Sequence, residues 1–259
     1  MQARRASPWS PSDLGSATDA CLLSPHRAVS AARAVGTLAL VGGGEWRDGC
    51  RAFDAELLQG AGAKEVVVLP SAAAFEHPER VVERATAYFE SLGVNARPLM
   101  VLHRSEAEEQ KTVDVVRKAK AVYLSDGSPL HLRSVLKGSK LWEAMLSSYH
   151  AGGVLAASGA GATLVCDPMV DPRGGAYTVG LGVVSNLAVF PYHGTAAEHL
   201  RERSIDLLPD GAKLIGIDEE TALVRDAGGR WTTAGAGTVT VYAGRDATEF
   251  APGSTIPDL

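Results

Sequence analysis

A chain of 259 residues with 46% hydrophobic residues is long enough to bury one large α/β core or two small ones. A formal net charge of -5, with no run of Lys or Arg, argues against nucleic acid as a partner. No apolar run approaches the ~18 residues of a membrane span, so no membrane partner is expected and a cytoplasmic setting is the default.

Residues 1–36 differ from the rest. They are rich in Ser, Ala, Pro and Arg and lack strong periodicity, which predicts a disordered extension with a short helix near Arg27–Arg33. Arg4-Arg5 resembles the start of a twin-arginine signal, but no apolar segment follows it.

From Thr37 short apolar runs alternate with helical spacing. The runs TLALV (37–41), KEVVVLP (64–70), NARPLMVL (95–102), AVYLSD (121–126) and GVLAAS (153–158) predict strands. Between them, 78–92 carries Val81, Val82, Ala85, Tyr88, Phe89 and Leu92 on one stripe, ended by Gly93. The segment 105–120 opens with Ser105 and Glu108 at capping-box spacing, and 128–138 and 140–153 read as two further helices. Near-continuous apolar strands joined by helices mean a mainly parallel sheet covered on both faces, a three-layer α/β/α architecture. After residue 175 the texture changes to AYTVGLGVV, LAVFPYH, AKLIGID, TALVRDAGGRW and GTVTVY, with one helix over 195–208. These predict antiparallel additions at the C-terminal edge. The expected organisation is one domain over 37–245 and a tail over 246–259.

Loops at the carboxyl ends of parallel strands bind ligands in such sheets. Gly42–Glu45, Ser71–Glu76, Ser125–Pro129 and Ser158–Gly161 fall there, and His193 is a further candidate. The Gly42-Gly43-Gly44 run is an incomplete dinucleotide fingerprint. Arg47 stands at the third glycine position, and the nearby acid, Glu65, opens a strand rather than ending one. The run reads as a tight turn, either one whose amides face a ligand or one that only needs positive φ. Cys21, Cys50 and Cys166 are an odd number without metal-site spacing, so neither a metal nor a disulfide framework is indicated. Buried small hydrophobes are the usual role for Cys50 and Cys166.

The stretch VLAASGAGAT (154–163) is a strand entering a turn built of tiny residues, the composition that a nucleophile elbow requires. Two registers are open. Gly159 at the bend leaves no hydroxyl there. Ser158 at the bend, between Ala156 and Ala160, needs a compensating bulge in the strand.

The motifs LVGGGEW, YLSDGSPLHL, AASGAGA and GIDEETALV, in that order over 37–243, resemble the peptidase family that includes cyanophycinase and aspartyl dipeptidase (dipeptidase E). The resemblance implies a flavodoxin-like, class I glutamine amidotransferase-like fold and serine hydrolysis of peptide bonds beside aspartyl residues. The family elbow resembles G-x-S-A-G-A, and matching the Ala-Gly-Ala end puts its serine at Gly159, with Ser158 one place earlier. His193, after the strand LAVFPYH, matches the general base, and Asp167 and Asp171 are the acids available between the two. The implied substrate-binding and oxyanion groups are Gly43, Gly44, Gly127 and Ala160, with Arg201 for a substrate carboxylate. A small peptide or amide is then the ligand class, with or without its cleavage. No cofactor is implied, and a homodimer is the assembly to test. Asp218-Glu219-Glu220 reads as structural, with Asp218 ending a strand and bonding the next turn.

Overall fold

The apolar runs become parallel strands because both of their faces are covered. The computed structural model describes residues 35–257 and 259. Apart from Val35 and Gly36, the extension expected over 1–36 lies outside the described residues, and with it the helix near Arg27–Arg33, Arg4-Arg5 and Cys21. In chain order the elements are β1 (Thr37–Val41), α1 (Arg51–Gly60), β2 (Glu65–Leu69), α2 (Pro78–Ser91), β3 (Asn95–Pro98), α3 (Gln110–Lys118), β4 (Ala121–Leu124), α4 (Pro129–Leu136), α5 (Lys140–His150), β5 (Val154–Ser158) and α6 (Ala160–Val165). There follow β6 (Cys166–Asp167), β7 (Met169–Val170), β8 (Tyr177–Thr178), β9 (Val184–Ser185), β10 (Leu187–Pro191), α7 (Glu198–Asp206) and β11 (Lys213–Ile217). The last five are β12 (Thr221–Arg225), β13 (Trp231–Gly235), β14 (Val239–Ala243), β15 (Asp246–Phe250) and β16 (Thr255–Ile256).

The central sheet has eight strands in the order β16-β13-β12-β1-β5-β4-β2-β3. Strands β1, β5, β4, β2 and β3 are mutually parallel, and β12, β13 and β16 extend the sheet antiparallel beyond β1. The run β3-β2-β4-β5 is doubly wound, with the order reversing at β2, and β1 closes it beside β5. Side chains alternate across this sheet. Leu38, Leu40, Val67, Leu69, Leu124 and Leu155 join one cluster with residues of α3, α4 and α5. Ala39, Val41, Val66, Val68, Tyr123 and Ala156 join another with residues of α1 and α2. The three-layer reading therefore holds.

Three readings change. The C-terminal strands do not all extend the central sheet. Six of them form a second sheet, β15-β14-β11-β10-β6-β9, in which β10 and β11 are parallel because α7 crosses between them. Leu187 and Val189 of β10 face the main core while Ala188 and Phe190 face α7, so β10 needs cover on both sides and cannot lie on an exposed edge. The segment read as a tail is also structured, since β15 pairs with β14 and β16 with β13.

The Ser105–Glu108 capping box does not form. Ser105 makes no cap, a short 3-10 turn covers Glu106–Glu108, and Glu106 instead accepts the Leu102 and His103 amides at 2.6 and 2.9 Å. Helix α1 lacks a clear sequence signal because its buried stripe contains a carboxylate, Asp54, between Phe53 and Leu58.

Asp54 is 2% exposed and accepts a 2.8 Å bond from the Tyr88 hydroxyl. Burial pushes its pKa up to about 7, and the Tyr88 bond offsets this only in part. The unfolded value is ~3.9. A folded pKa above the unfolded one gives stability that is full below pH ~4 and lost as pH rises through about 7. We therefore expect denaturant titrations from pH 4 to 8 to show a falling stability that Asp54→Asn flattens.

Candidate functional site

Parallel strands end together. The loops after β1, β2 and β4 and the turn after β5 thus meet at one edge of the sheet. Gly44, Glu45, Ala73, Glu76, Asp126 and Gly127 from these loops line a cavity of about 620 Å³, completed by α2 residues and Tyr192.

Strand β5 stops at Ser158 and α6 starts at Ala160, so the whole reversal falls on Gly159, with φ 47° and ψ -105°. That conformation strains any residue bearing a side chain. Gly159 therefore occupies the apex of a sharp strand-to-helix turn, the geometry of a nucleophile elbow. Ser158 points elsewhere. It is fully buried and donates a 2.9 Å bond to Glu45 Oε2.

The space a side chain at 159 would take is already filled. A Cβ built on Gly159 collides with the Asp126 carboxylate. Asp126 Oδ1 accepts the Ala160 amide and the Gly127 amide, each at 2.7 Å, and Oδ2 accepts the Tyr192 hydroxyl. Two converging amides beside an elbow are what holds an oxyanion in acyl transfer. Here an internal carboxylate occupies them. Gly127 has φ 142°, which aims its amide inward while its Cα packs on the Ala72 backbone, an approach only glycine allows.

A second carboxylate lies beneath. Glu45 is 6% exposed and its Oε1 faces the Asp126 amide at 3.4 Å. Burial, then the Asp126 charge, raises its pKa, opposed by the Ser158 bond and by the Arg84 guanidinium 3.6 Å away. Burial also raises the Tyr192 phenol, with Asp126 adding to the effect, so this hydroxyl stays protonated and donates.

The contacts of the His193 ring lie on the second sheet. The ring packs against Gly216 of β11, its Nε2 bonds the Tyr242 hydroxyl at 2.7 Å, and its Nδ1 lies 3.6 Å from Asp218 Oδ1. Burial lowers its pKa despite Asp218. The neighbouring residue reaches the site instead. Tyr192, with φ 55°, donates its amide to Gly42, while the His193 amide turns to Ile217, so the two side chains diverge.

The other sequence candidates are already partnered. Arg201 pairs with Glu198 and Glu202, Asp171 with Arg173, and Asp167 accepts the Gly180 amide. The Tyr192 ring fills the space over Gly43, so this first turn holds a side chain where a dinucleotide would need room, while Gly44 lines the cavity. Asp218 follows β11 as expected, but its Oδ2 accepts the Thr238 amide and hydroxyl twenty residues on rather than bonding the next turn. Cys50 and Cys166 are buried, and burial pushes the Cys50 thiol up to about 12. Among the described residues no group of three or more His, Cys, Asp or Glu is placed to hold a metal, and no helix is long and apolar enough to cross a membrane. Glu45 and Asp126 lie in loops that the sequence placed at the ligand end without singling them out, and Tyr192 is the site residue it passed over. The available signal was an acid beside Gly127 in YLSDGSPLHL and a tyrosine beside the histidine.

Gly159→Ala adds both strain and collision, and we expect it to lower unfolding free energy by about 3 kcal/mol or more. In an Asp126→Ala background the collision is gone, so a double-mutant cycle by chemical denaturation returns a coupling of about 1–3 kcal/mol.

The comparisons agree with this geometry. Residues 38–230 match the model of peptidase family S51. Cyanophycinases from Synechococcus elongatus and Thermosynechococcus vestitus are each 25% identical over 231 residues, covering 82% of this chain and 69% of theirs. A peptidase crystal structure from an acI-B1 Actinobacterium superposes with a TM-score of 0.79 at 28% identity, over 87% of this chain and 98% of that one. A Listeria monocytogenes EGD-e protein named as a peptidase E shares the fold at a TM-score of 0.57 and 16% identity, over 84% and 98%. With three quarters of its length inside the family's pattern, the chain belongs to peptidase family S51.

Proposed function

We propose that this chain binds a short peptide or small amide in the elbow cavity and does not cut it through a serine ester. One observation carries the reading. Asp126 Oδ1 sits 2.7 Å from both the Gly127 and Ala160 amides, where a substrate carbonyl would need to develop its charge. Hydrogen bonds to a charged group are worth ~1.5–3 kcal/mol each, so a carbonyl displacing the carboxylate forfeits several kcal/mol. The apex residue has no hydroxyl, and Ser158 spends its own on Glu45.

The cavity suits a zwitterionic guest. Glu45 and Asp126 meet within it, and Arg47, Arg80 and Arg84 line it together with Glu76 and Glu83. A free amine is matched at Glu45 and Asp126 and a carboxylate at the guanidinium groups. Peptide-sized volume, charges of both signs and family kinship all support such a ligand. A homodimer, as the assembly of the intact protein, is part of the same proposal.

Fluorophosphonate treatment followed by peptide mapping tests the reading. The expected result is no labelled residue in the native chain. Gly159→Ser alone is also expected to stay unlabelled, because its new side chain meets Asp126. Label on Ser158 of the native protein overturns the proposal.

A further inference from the structure

A second cavity opens on the other side of Asp126. It has a volume of about 230 Å³ and is walled by Val170, Pro172, Phe190, Pro191, Ala196 and Leu200. Asp126, Gly127 and Tyr192 line both cavities, so the two meet at the carboxylate. An apolar cavity of ~150 Å³ is enough for a benzene ring. This one has room for a ring and its methylene.

The lining of the smaller cavity offers an acidic guest no cationic partner. It holds two carboxylates, Asp126 and the Arg173-paired Asp171, and no Lys, Arg or His. An aspartyl side chain would be desolvated there beside like charge. Arg201, the guanidinium that the sequence offered for a substrate carboxylate, lines neither cavity and is paired with Glu198 and Glu202.

A carboxylate offers about four lone-pair sites. The Gly127 amide, the Ala160 amide and the Tyr192 hydroxyl use three on Asp126. The last is available to an ammonium group at the junction. In the larger cavity Arg80 feels the Glu79 charge but makes no ion pair within 4.0 Å among the described residues, which leaves its guanidinium able to receive a carboxylate at the far end of a ligand.

Resting on the peptide-binding reading above, we infer that the ligand is a short peptide whose N-terminal residue is aromatic or aliphatic. Its side chain enters the cavity of Phe190 and Leu200, its free amine meets Asp126, and its carboxylate lies toward Arg80. The specificity is then apolar rather than acidic.

Calorimetric titration of the full chain with Phe-Gly, Asp-Gly and N-acetyl-Phe-Gly tests this. Phe-Gly is expected to bind at least tenfold more tightly than either of the others. Ala196→Phe, which fills the cavity from an irregular loop, removes the preference. Leu200→Phe fills it from α7 and gives the same loss, with thermal melts confirming that each variant is folded. Asp-Gly binding as tightly as Phe-Gly overturns the apolar subsite and leaves peptide binding standing. So does a preference unchanged in both filled variants. Acetylation without effect removes the amine from the assignment and overturns the stated ligand class. If none of the three peptides binds, the peptide-binding reading itself falls, and the subsite with it.

Discussion

The site is organised by one carboxylate held where a side chain would otherwise be. Asp126 spans the gap between the β4 loop, the start of α6 and the end of β10, through two amides and one phenol. These contacts join residues 34 and 66 positions away in sequence. They also join the two sheets, because Tyr192 follows a strand of the second and Asp126 follows a strand of the first. Gly159 makes this possible by leaving its volume empty, and the strained backbone there costs little without a Cβ.

Placing two acids together in a low-dielectric region is costly unless each is compensated. Asp126 is compensated by N–H and O–H donors. Glu45 is compensated less fully, by Ser158 and an exposed Arg84, and burial, with the Asp126 charge, raises its pKa. Ser158 therefore belongs to the support of the site. Its hydroxyl is committed to Glu45, a buried carboxylate that lines the same cavity as Asp126.

Much of this was legible in the chain. The parallel core, the faces of α2 and the convergence of loops at the strand ends follow from hydrophobic period and from the geometry of parallel sheets. The bend at Gly159 was legible too, because tiny residues and a missing Cβ mark it. The second sheet was not, since short strands of mixed burial leave their partners unspecified. Helix α1 was hidden by Asp54 on its inner face. Asp126 and Tyr192 escaped for a different reason. Which of two adjacent residues faces a site depends on one backbone rotation, and the positive φ of Tyr192 is set by contacts with Gly42 and Gly43 across the fold.

The collision between position 159 and the Asp126 carboxylate has an evolutionary corollary. The two positions exclude one another, so neither is free to drift independently. Across descendants of this architecture, an aspartate at the first should travel with glycine at the second, and a bulkier apex should travel with something shorter than aspartate opposite it. If it does, this pair of positions tells plugged from open relatives without any assay.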